Sequence, residues 1–335
     1  MKKNCLKESV KALRVRYWYE GVRLRTGEKS AYALEKRFEQ KPSAQEGEKR
    51  APPKKWQRYK NGKRVPQAKL TSTVEDVVPG SSQELLSPLW EVLLIEDVLF
   101  QRTKRYINQL ELKVRRAMYS WRQAELEWTP NSVRNSQGRI LVRTGSLDAL
   151  AGLVLMWEVY RHQRQYEDMQ LLADLIYKCM LIVGETFKER GLVAEFFAIF
   201  DEKVFKRTIW QNGKSAMNAK EFANMIGLLN GTLSAEIDKT DLKSPQHVRK
   251  AKQVLMYGDE RDDCRFGFSL PVFPDWRDGP PSPRQRRYSM TRMMTWVWGR
   301  LRLERPELGM LSYECSWGIV QEAFGMPNGV ANSVR

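Results

Sequence analysis

Apolar side chains recur every three or four residues along most of the chain, which is the spacing of one face of an α-helix. Residues 5–25 follow this spacing, and a second helix is predicted to begin after Ser30, whose hydroxyl suits an N-cap. A third, short helix is predicted over Lys54–Lys60, with Gly62 in the turn that ends it. Pro66 then suits the first turn of a fourth helix. The first part of the chain is therefore predicted to be a series of short helices.

Helical spacing continues through the rest of the sequence. A long helical region is predicted from Pro88 to Trp128, and a polar stretch over 129–146 separates it from the apolar helices that follow. Strand-like alternation is found at 139–143, RILVR. The sequence thus predicts an all-α fold in which a C-terminal helical bundle follows an N-terminal module of short helices. Its parts are a basic module over 1–80, a long helical region and connection over 81–145, and a helical domain of unknown function over 146–335.

The basic residues are concentrated at the N-terminal end of the chain, whose net charge is +17. Residues 1–70 contain 21 Lys and Arg against 7 Asp and Glu, an excess of 14, whereas the remaining residues have an excess of 3. A local excess of this kind predicts a polyanionic partner. A disordered basic tail is the alternative explanation, but such tails are poor in the aromatic residues that are frequent here.

The run Lys54–Pro66, KKWQRYKNGKRVP, lies within this basic region. Trp56 and Tyr59 are three residues apart, so they share one face of the predicted helix. Gln57 and Arg58 lie off that face, and in the major groove a Gln side chain pairs with adenine and an Arg side chain with guanine. The run therefore predicts a helix that is anchored by aromatic residues and presents polar side chains to duplex DNA. An ordinary helix with buried aromatic residues and solvated cations is the alternative.

This run resembles the phage-repressor type (Cro-like) of helix-turn-helix domain, in which the recognition helix is followed by a Gly, three residues and a Pro that begins the next helix. Gly62–Pro66 has this form, and Ser30–Phe38 corresponds to the preceding helix of the pair. The family joins the two helices by a short turn, whereas here the 15 residues of Glu39–Pro53 lie between them. The resemblance implies base contacts from Lys54, Lys55, Gln57 and Arg58, and phosphate contacts from Lys60, Lys63 and Arg64.

A second run of mixed basic and aromatic residues covers Arg14–Arg25, RVRYWYEGVRLR. Aromatic rings between cations stack on unpaired bases in proteins that bind single strands. An amphipathic helix that buries the same rings is the alternative. The candidates are Trp18 and Tyr19 for stacking, and Arg14, Arg16, Arg23 and Arg25 for phosphate contacts.

Patterns that identify a catalytic or metal site are missing from the sequence. The four cysteines are far apart and form no C-x-x-C, which argues against a disulfide framework or zinc site and favours a reducing cytoplasm. Asp97, Glu111 and Lys113 imitate a metal-dependent nuclease, but that chemistry needs the last two on a strand, and here they fall in a helical pattern. We therefore predict no catalytic residue, metal or cofactor, and leave open whether the protein is an enzyme.

These features predict a DNA-binding protein, a regulator or a component of a mobile-element or defence system, which grips duplex DNA through residues 1–80. The alternatives are a nucleic-acid-processing enzyme with its site in the C-terminal helical region, a protein that binds single-stranded nucleic acid or RNA, and a helical interaction protein. The most apolar stretch, 147–157, is shorter than the roughly 20 residues that span a bilayer, so no membrane partner is expected. The C-terminal helices are expected to bind a second copy of the chain or a protein partner.

Overall fold

The protein is described here by a computed structural model that covers residues 3–39, 55–96, 100–122, 127–130, 136–210, 213–240, 267–273 and 282–305. Helices account for 77% of the interpretable residues, which confirms the all-α class. Within this part of the chain, none of the helices combines the length and the apolar character that crossing a membrane requires. Lys54 and Asp97 lie outside the described residues.

The first five helices enclose a small core, and we call them the N-terminal module. They are α1 (Lys3–Thr26), α2 (Ala31–Glu39), α3 (Lys55–Lys60), α4 (Ala68–Val77) and α5 (Ser81–Leu86). Ser30 caps α2 as predicted, because its hydroxyl accepts a hydrogen bond of 3.1 Å from the N–H of Ala33. The core of the module is built from apolar side chains of every one of these helices: Val15, Trp18, Tyr19, Val22, Ala31, Leu34, Trp56, Tyr59, Leu70, Val74, Val78 and Leu85.

Helix α1 contributes to two hydrophobic cores. Trp18 and Val22, on one side of the helix, belong to the core of the module. Val10 and Leu13, on another side, belong to a larger core formed by the rest of the protein, which we call the main core. The module is therefore packed against the body of the protein along α1, because the same helix supplies side chains to both cores.

The remaining described elements form the body of the protein, and their helices supply most of the main core. They are α6 (Leu89–Val92), α7 (Phe100–Gln109), α8 (Leu112–Met118), β1 (Tyr119–Arg122), β2 (Glu127–Pro130), α9 (Ser136–Thr144), α10 (Leu147–His162), α11 (Tyr166–Glu189), α12 (Val193–Phe200), a π-helical turn (Asp201–Phe205), β3 (Lys214–Ser215), α13 (Ala219–Thr240), β4 (Val272–Phe273) and α14 (Pro283–Glu304). Strand β1 pairs with β2, and β3 with β4, both antiparallel.

The helical region predicted over Pro88–Trp128 consists of short helices as far as Met118, and the prediction is wrong after that residue. The chain there forms two antiparallel strands, in which Trp121 lies opposite Trp128. The strand-like run 139–143 is instead part of helix α9. Of its three adjacent apolar residues, Leu141 and Val142 are fully buried and Ile140 is partly buried. So short an apolar run does not distinguish a strand from a helix.

The cores do not follow the boundaries expected from the sequence. Leu85 of α5 lies in the core of the module, so the module extends beyond residue 80. Leu141 of α9 and Leu150 of α10 lie in the same main core, which therefore continues across the boundary expected between residues 145 and 146. The stretch over 129–146, which was expected to be a polar connection, contains α9, and the side chains of Leu141 and Val142 in this helix are fully buried.

The corner between α4 and α5 is fixed by Glu75. Its carboxylate accepts hydrogen bonds from the backbone N–H of Gly80 (2.6 Å) and Ser82 (2.6 Å) and from the hydroxyl of Ser81 (3.0 Å). Ser81 and Glu84 have the spacing of a capping box, but this motif does not form. The N–H of Ser82 donates to Glu75 instead, and the carboxylate of Glu84 binds Arg190.

Glu75 is expected to make the stability of the protein depend on pH below 4.5. The N–H groups of Ser82 and Gly80 lower the pKa of Glu75 from 4.5 to about 2. Between these two values the unfolded chain binds the proton more readily than the folded protein does, so the free energy of unfolding decreases as the pH is lowered. Glu75→Gln should cost about 1 kcal/mol at neutral pH, as for other exposed caps. It should also flatten the profile of unfolding free energy between pH 4.5 and about 2. Denaturant titrations would measure this, with Asp76→Asn as the neighbouring control; an unchanged profile for Glu75→Gln would contradict the assignment.

Candidate nucleic-acid interface

The short helix α3 is held in place by two aromatic side chains. Trp56 and Tyr59 are both fully buried, as their shared face predicted. Trp56 stacks on Trp18 with ring centroids 5.6 Å apart and on Phe38 at 5.5 Å. Tyr59 meets Trp18 edge to face at 5.8 Å. Since a six-residue helix has little stability of its own, these contacts are what keep α3 folded.

Two carboxylates of α2 replace the short turn that the helix-turn-helix family uses. Glu39 accepts hydrogen bonds from the indole N–H of Trp56 (2.8 Å) and from Nζ of Lys55 (2.7 Å). Glu35 accepts from the backbone N–H groups of Lys55 and Trp56, which are the first of α3. Burial raises the pKa of Glu35 and the charge of Glu39 raises it further, whereas these N–H groups lower it. The two helices are thus joined rigidly although many residues separate them in sequence.

The same contacts change the expectation for Lys55. Its cation is bound to Glu39 of α2, and its side chain is only about a quarter exposed. This arrangement does not support the base contact predicted for Lys55, because the ammonium is already neutralised inside the module. Gln57 and Arg58, the other described candidates for base contacts, are exposed.

The exposed side of α3, the loop after it and the first turn of α4 carry exposed cations. No acidic residue occurs between positions 55 and 74 of the sequence. The cations are exposed, and their side chains have no ion-pair partner among the described residues. We call this set the basic surface; it consists of Arg58, Lys60, Lys63, Arg64 and Lys69.

A glycine turn brings the loop that follows α3 close to α1. Gly62 has φ +67°, a left-handed conformation that other residues rarely adopt. A Cβ atom at this position would lie 2.8 Å from the backbone of Ala12 in α1, so the loop approaches that helix closely. Pro66 is buried and leads into α4. The loop that carries Lys63 and Arg64 therefore has a defined path.

The arginines of α1 are engaged within the protein. Arg14 donates to the carbonyl of Leu85 at 2.6 Å, and burial lowers its pKa. The other three form ion pairs: Arg16 with Glu195 (2.5 Å), Arg23 with Glu20 (2.5 Å) and Arg25 with Glu84 (2.9 Å). The phosphate contacts predicted for these arginines are not supported, since each one already has an internal partner.

The stacking prediction for Trp18 and Tyr19 is wrong. Trp18 is 0% exposed and Tyr19 is 1% exposed, so neither ring has a surface on which a base could stack. Both lie in the core of the module, where Trp18 faces the two aromatic residues of α3. The amphipathic alternative describes this run correctly.

Three residues that form this surface or support it were not predicted from the sequence. Lys69 is exposed in the first turn of α4, and an acid-free sequence up to position 74 could have indicated it. That Glu35 and Glu39 hold α3 could not be predicted from the sequence, because their partners Lys55 and Trp56 are distant along the chain. Among the described residues, no group of three or more His, Cys, Asp or Glu is placed to hold a metal ion.

No family model matches the chain, and no curated protein or solved structure matches it either.

Proposed function

We propose that the protein binds duplex DNA and that the basic surface grips the phosphate backbone. The observation that carries the proposal is the difference between two sets of cations in one module. The arginines of α1 are paired with internal acceptors, whereas the basic surface has none among the described residues. Five exposed cations within positions 58–69, without counter-charges among the described residues, repel one another at an electrostatic cost. A polyanion that lies across them removes that cost.

Phosphate contact is favoured over base reading by the form of α3. A recognition helix directs its N-terminal residues at the base edges. Here the first backbone N–H groups of α3 already donate to Glu35, and Glu39 holds the side chains of Lys55 and Trp56, so this end of the helix is not free to meet base edges. The free cations lie instead on the exposed side and towards the end of the helix. We therefore propose that Gln57 and Arg58 add at most a modest sequence preference to binding that is mainly electrostatic.

Removing three lysines of the basic surface tests this proposal. Lys60→Ala, Lys63→Ala and Lys69→Ala together should weaken duplex binding at least about tenfold at low salt. The slope of log K against log salt should fall by about 2 to 3, because each phosphate contact contributes about 0.9. Fluorescence anisotropy of a labelled duplex over a range of salt concentrations measures both quantities.

The body of the protein provides a matched control. Lys188, Lys214 and Lys220 are also exposed, so replacing them with alanine removes the same charge from a different surface. The control should keep both the affinity and the salt slope of the unmodified protein. Equal losses in the two triple variants would mean that net charge alone causes the binding, and an unmodified protein that fails to bind duplex at low salt would overturn the proposed function.

A further inference from the structure

Tyr32 is an exposed aromatic residue in a module that buries most of its other rings. Its side chain is 63% exposed, and Tyr166 of α11 is another exposed tyrosine, at 40%. Trp18, Trp56 and Tyr59 are fully buried in the same module. Leaving a large ring in water forgoes the free energy of burying it, and tyrosine is enriched at interfaces because its ring is apolar and its hydroxyl is polar.

Two exposed lysines lie close to Tyr32 in the sequence. Lys29 lies three residues before it and Lys36 four residues after it, and both are exposed without an ion-pair partner among the described residues. Positions three and four apart share one side of a helix, so Lys36 flanks the ring on α2 while Lys29 lies just before the helix.

Tyr32 also lies towards α3. Glu35 and Glu39, at three and seven residues after it, are on the same side of α2 and hold the start of α3. The exposed ring is therefore on the edge of α2 that faces α3, the helix on which the basic surface begins.

We propose that Tyr32 stacks on an unpaired base, so that the preferred ligand of the module is a duplex with a single-stranded extension. The proposal rests on the proposed function, because the duplex is held by the basic surface. An aromatic ring offers a stacking surface to every base, and neighbouring cations hold the phosphates of that strand. In the interior of a duplex each base is already paired and stacked on both sides, so the ring has no base to stack on there.

The test compares three labelled ligands: a blunt duplex, the same duplex with a short single-stranded extension, and the same extension made of abasic nucleotides. The full-length protein should bind the extended duplex about tenfold more tightly than the abasic form, since stacking needs the base and not its phosphate. Tyr32→Ala should lose this difference and keep its affinity for the blunt duplex. Tyr32→Trp should retain the difference, and Tyr166→Ala, which removes an exposed ring from the body of the protein, should leave all three affinities unchanged.

The outcomes separate this inference from the proposed function. If the protein binds the blunt duplex but the normal and abasic extensions bind equally well, the inference about Tyr32 is overturned and the proposed function stands. If Tyr32→Ala weakens all three ligands to the same degree, the residue contacts phosphates and not a base, which also overturns it. Failure of the unmodified protein to bind any of the ligands overturns both.

Discussion

Glu158→Gln is expected to lower the free energy of unfolding by about 3–5 kcal/mol at neutral pH. Glu158 and Lys203 form an ion pair inside the main core, where both side chains are 0% exposed. Nζ of Lys203 also donates to the carbonyl of Ile95, and Arg161 binds the other oxygen of Glu158 at 2.8 Å. Without the carboxylate charge, the ammonium of Lys203 stays in the core with a carbonyl as its remaining acceptor and with Arg161 nearby.

The loss should become smaller as the pH rises. Burial lowers the pKa of Lys203, and the charge of Glu158 acts against this shift. The folded protein therefore releases the proton at a lower pH than the unfolded chain, and between the two pKa values stability rises with pH, because the unfolded chain binds more protons. In Glu158→Gln the pKa of Lys203 falls further. The deficit should therefore narrow as the pH rises towards about 10, the ordinary pKa of lysine.

A double variant distinguishes a broken ion pair from a damaged core. Glu158→Gln with Lys203→Met leaves no uncompensated charge in the core, so it should recover most of the stability that the single substitution loses. Urea titrations of the single and double variants at neutral and alkaline pH would measure the coupling. If the two substitutions destabilise the protein additively, the pair is not coupled and this account of the core is wrong.

Arg190→Ala is expected to cost about 3–4 kcal/mol, because it breaks the main polar contact between the module and the body. Arg190, at the end of α11, binds both oxygens of Glu84 in α5, at 2.7 and 3.0 Å. It also donates to the carbonyl of Tyr17 at 2.8 Å and lies 3.9 Å from the centre of that ring. A Cβ on Gly21 would lie 2.7 Å from this pair, so α1 has no side chain where the two ions meet. The substitution leaves Glu84 in a largely buried position with Arg25 as its remaining cation.

The pair of Arg16 and Glu195 provides the control for Arg190. It also joins α1 to the body, but its side chains are 33% and 41% exposed. Arg16→Ala should therefore cost less than about 1 kcal/mol. Thermal or urea unfolding of the two variants measures the difference. Similar losses in both would show that contact between the module and the body, and not burial of the ion pair, determines the effect.

Much of the candidate interface could be expected from local sequence. Trp56 and Tyr59 are three apart, and this spacing correctly predicted that they share a buried face of α3. The cations at 58–64 are close together without an acid, so some of them had to be exposed. Both conclusions follow from short-range geometry, in which residues near each other in sequence are near each other in space.

Local sequence did not predict which aromatic ring of the module is exposed. Trp18 and Tyr32 are both aromatic residues next to cations in a helical pattern, and the sequence favoured Trp18 for base stacking. Trp18 is covered because α3 packs on it, whereas nothing in the described structure covers Tyr32. The arrival of α3 depends on Glu35 and Glu39, whose acceptor sites meet N–H groups many residues away.

The sequence by itself determined that the chain is helical, which residues share a helix face, and that the basic excess lies near the N-terminus. These properties depend on periodicity and charge, which act over a few residues. Only the tertiary structure decided which faces are covered, which cations already have partners, and that a hairpin interrupts the helices near Trp121. The physical reason is that a helix face is buried by a neighbour from elsewhere in the chain. Periodicity shows which residues lie together but not what packs against them.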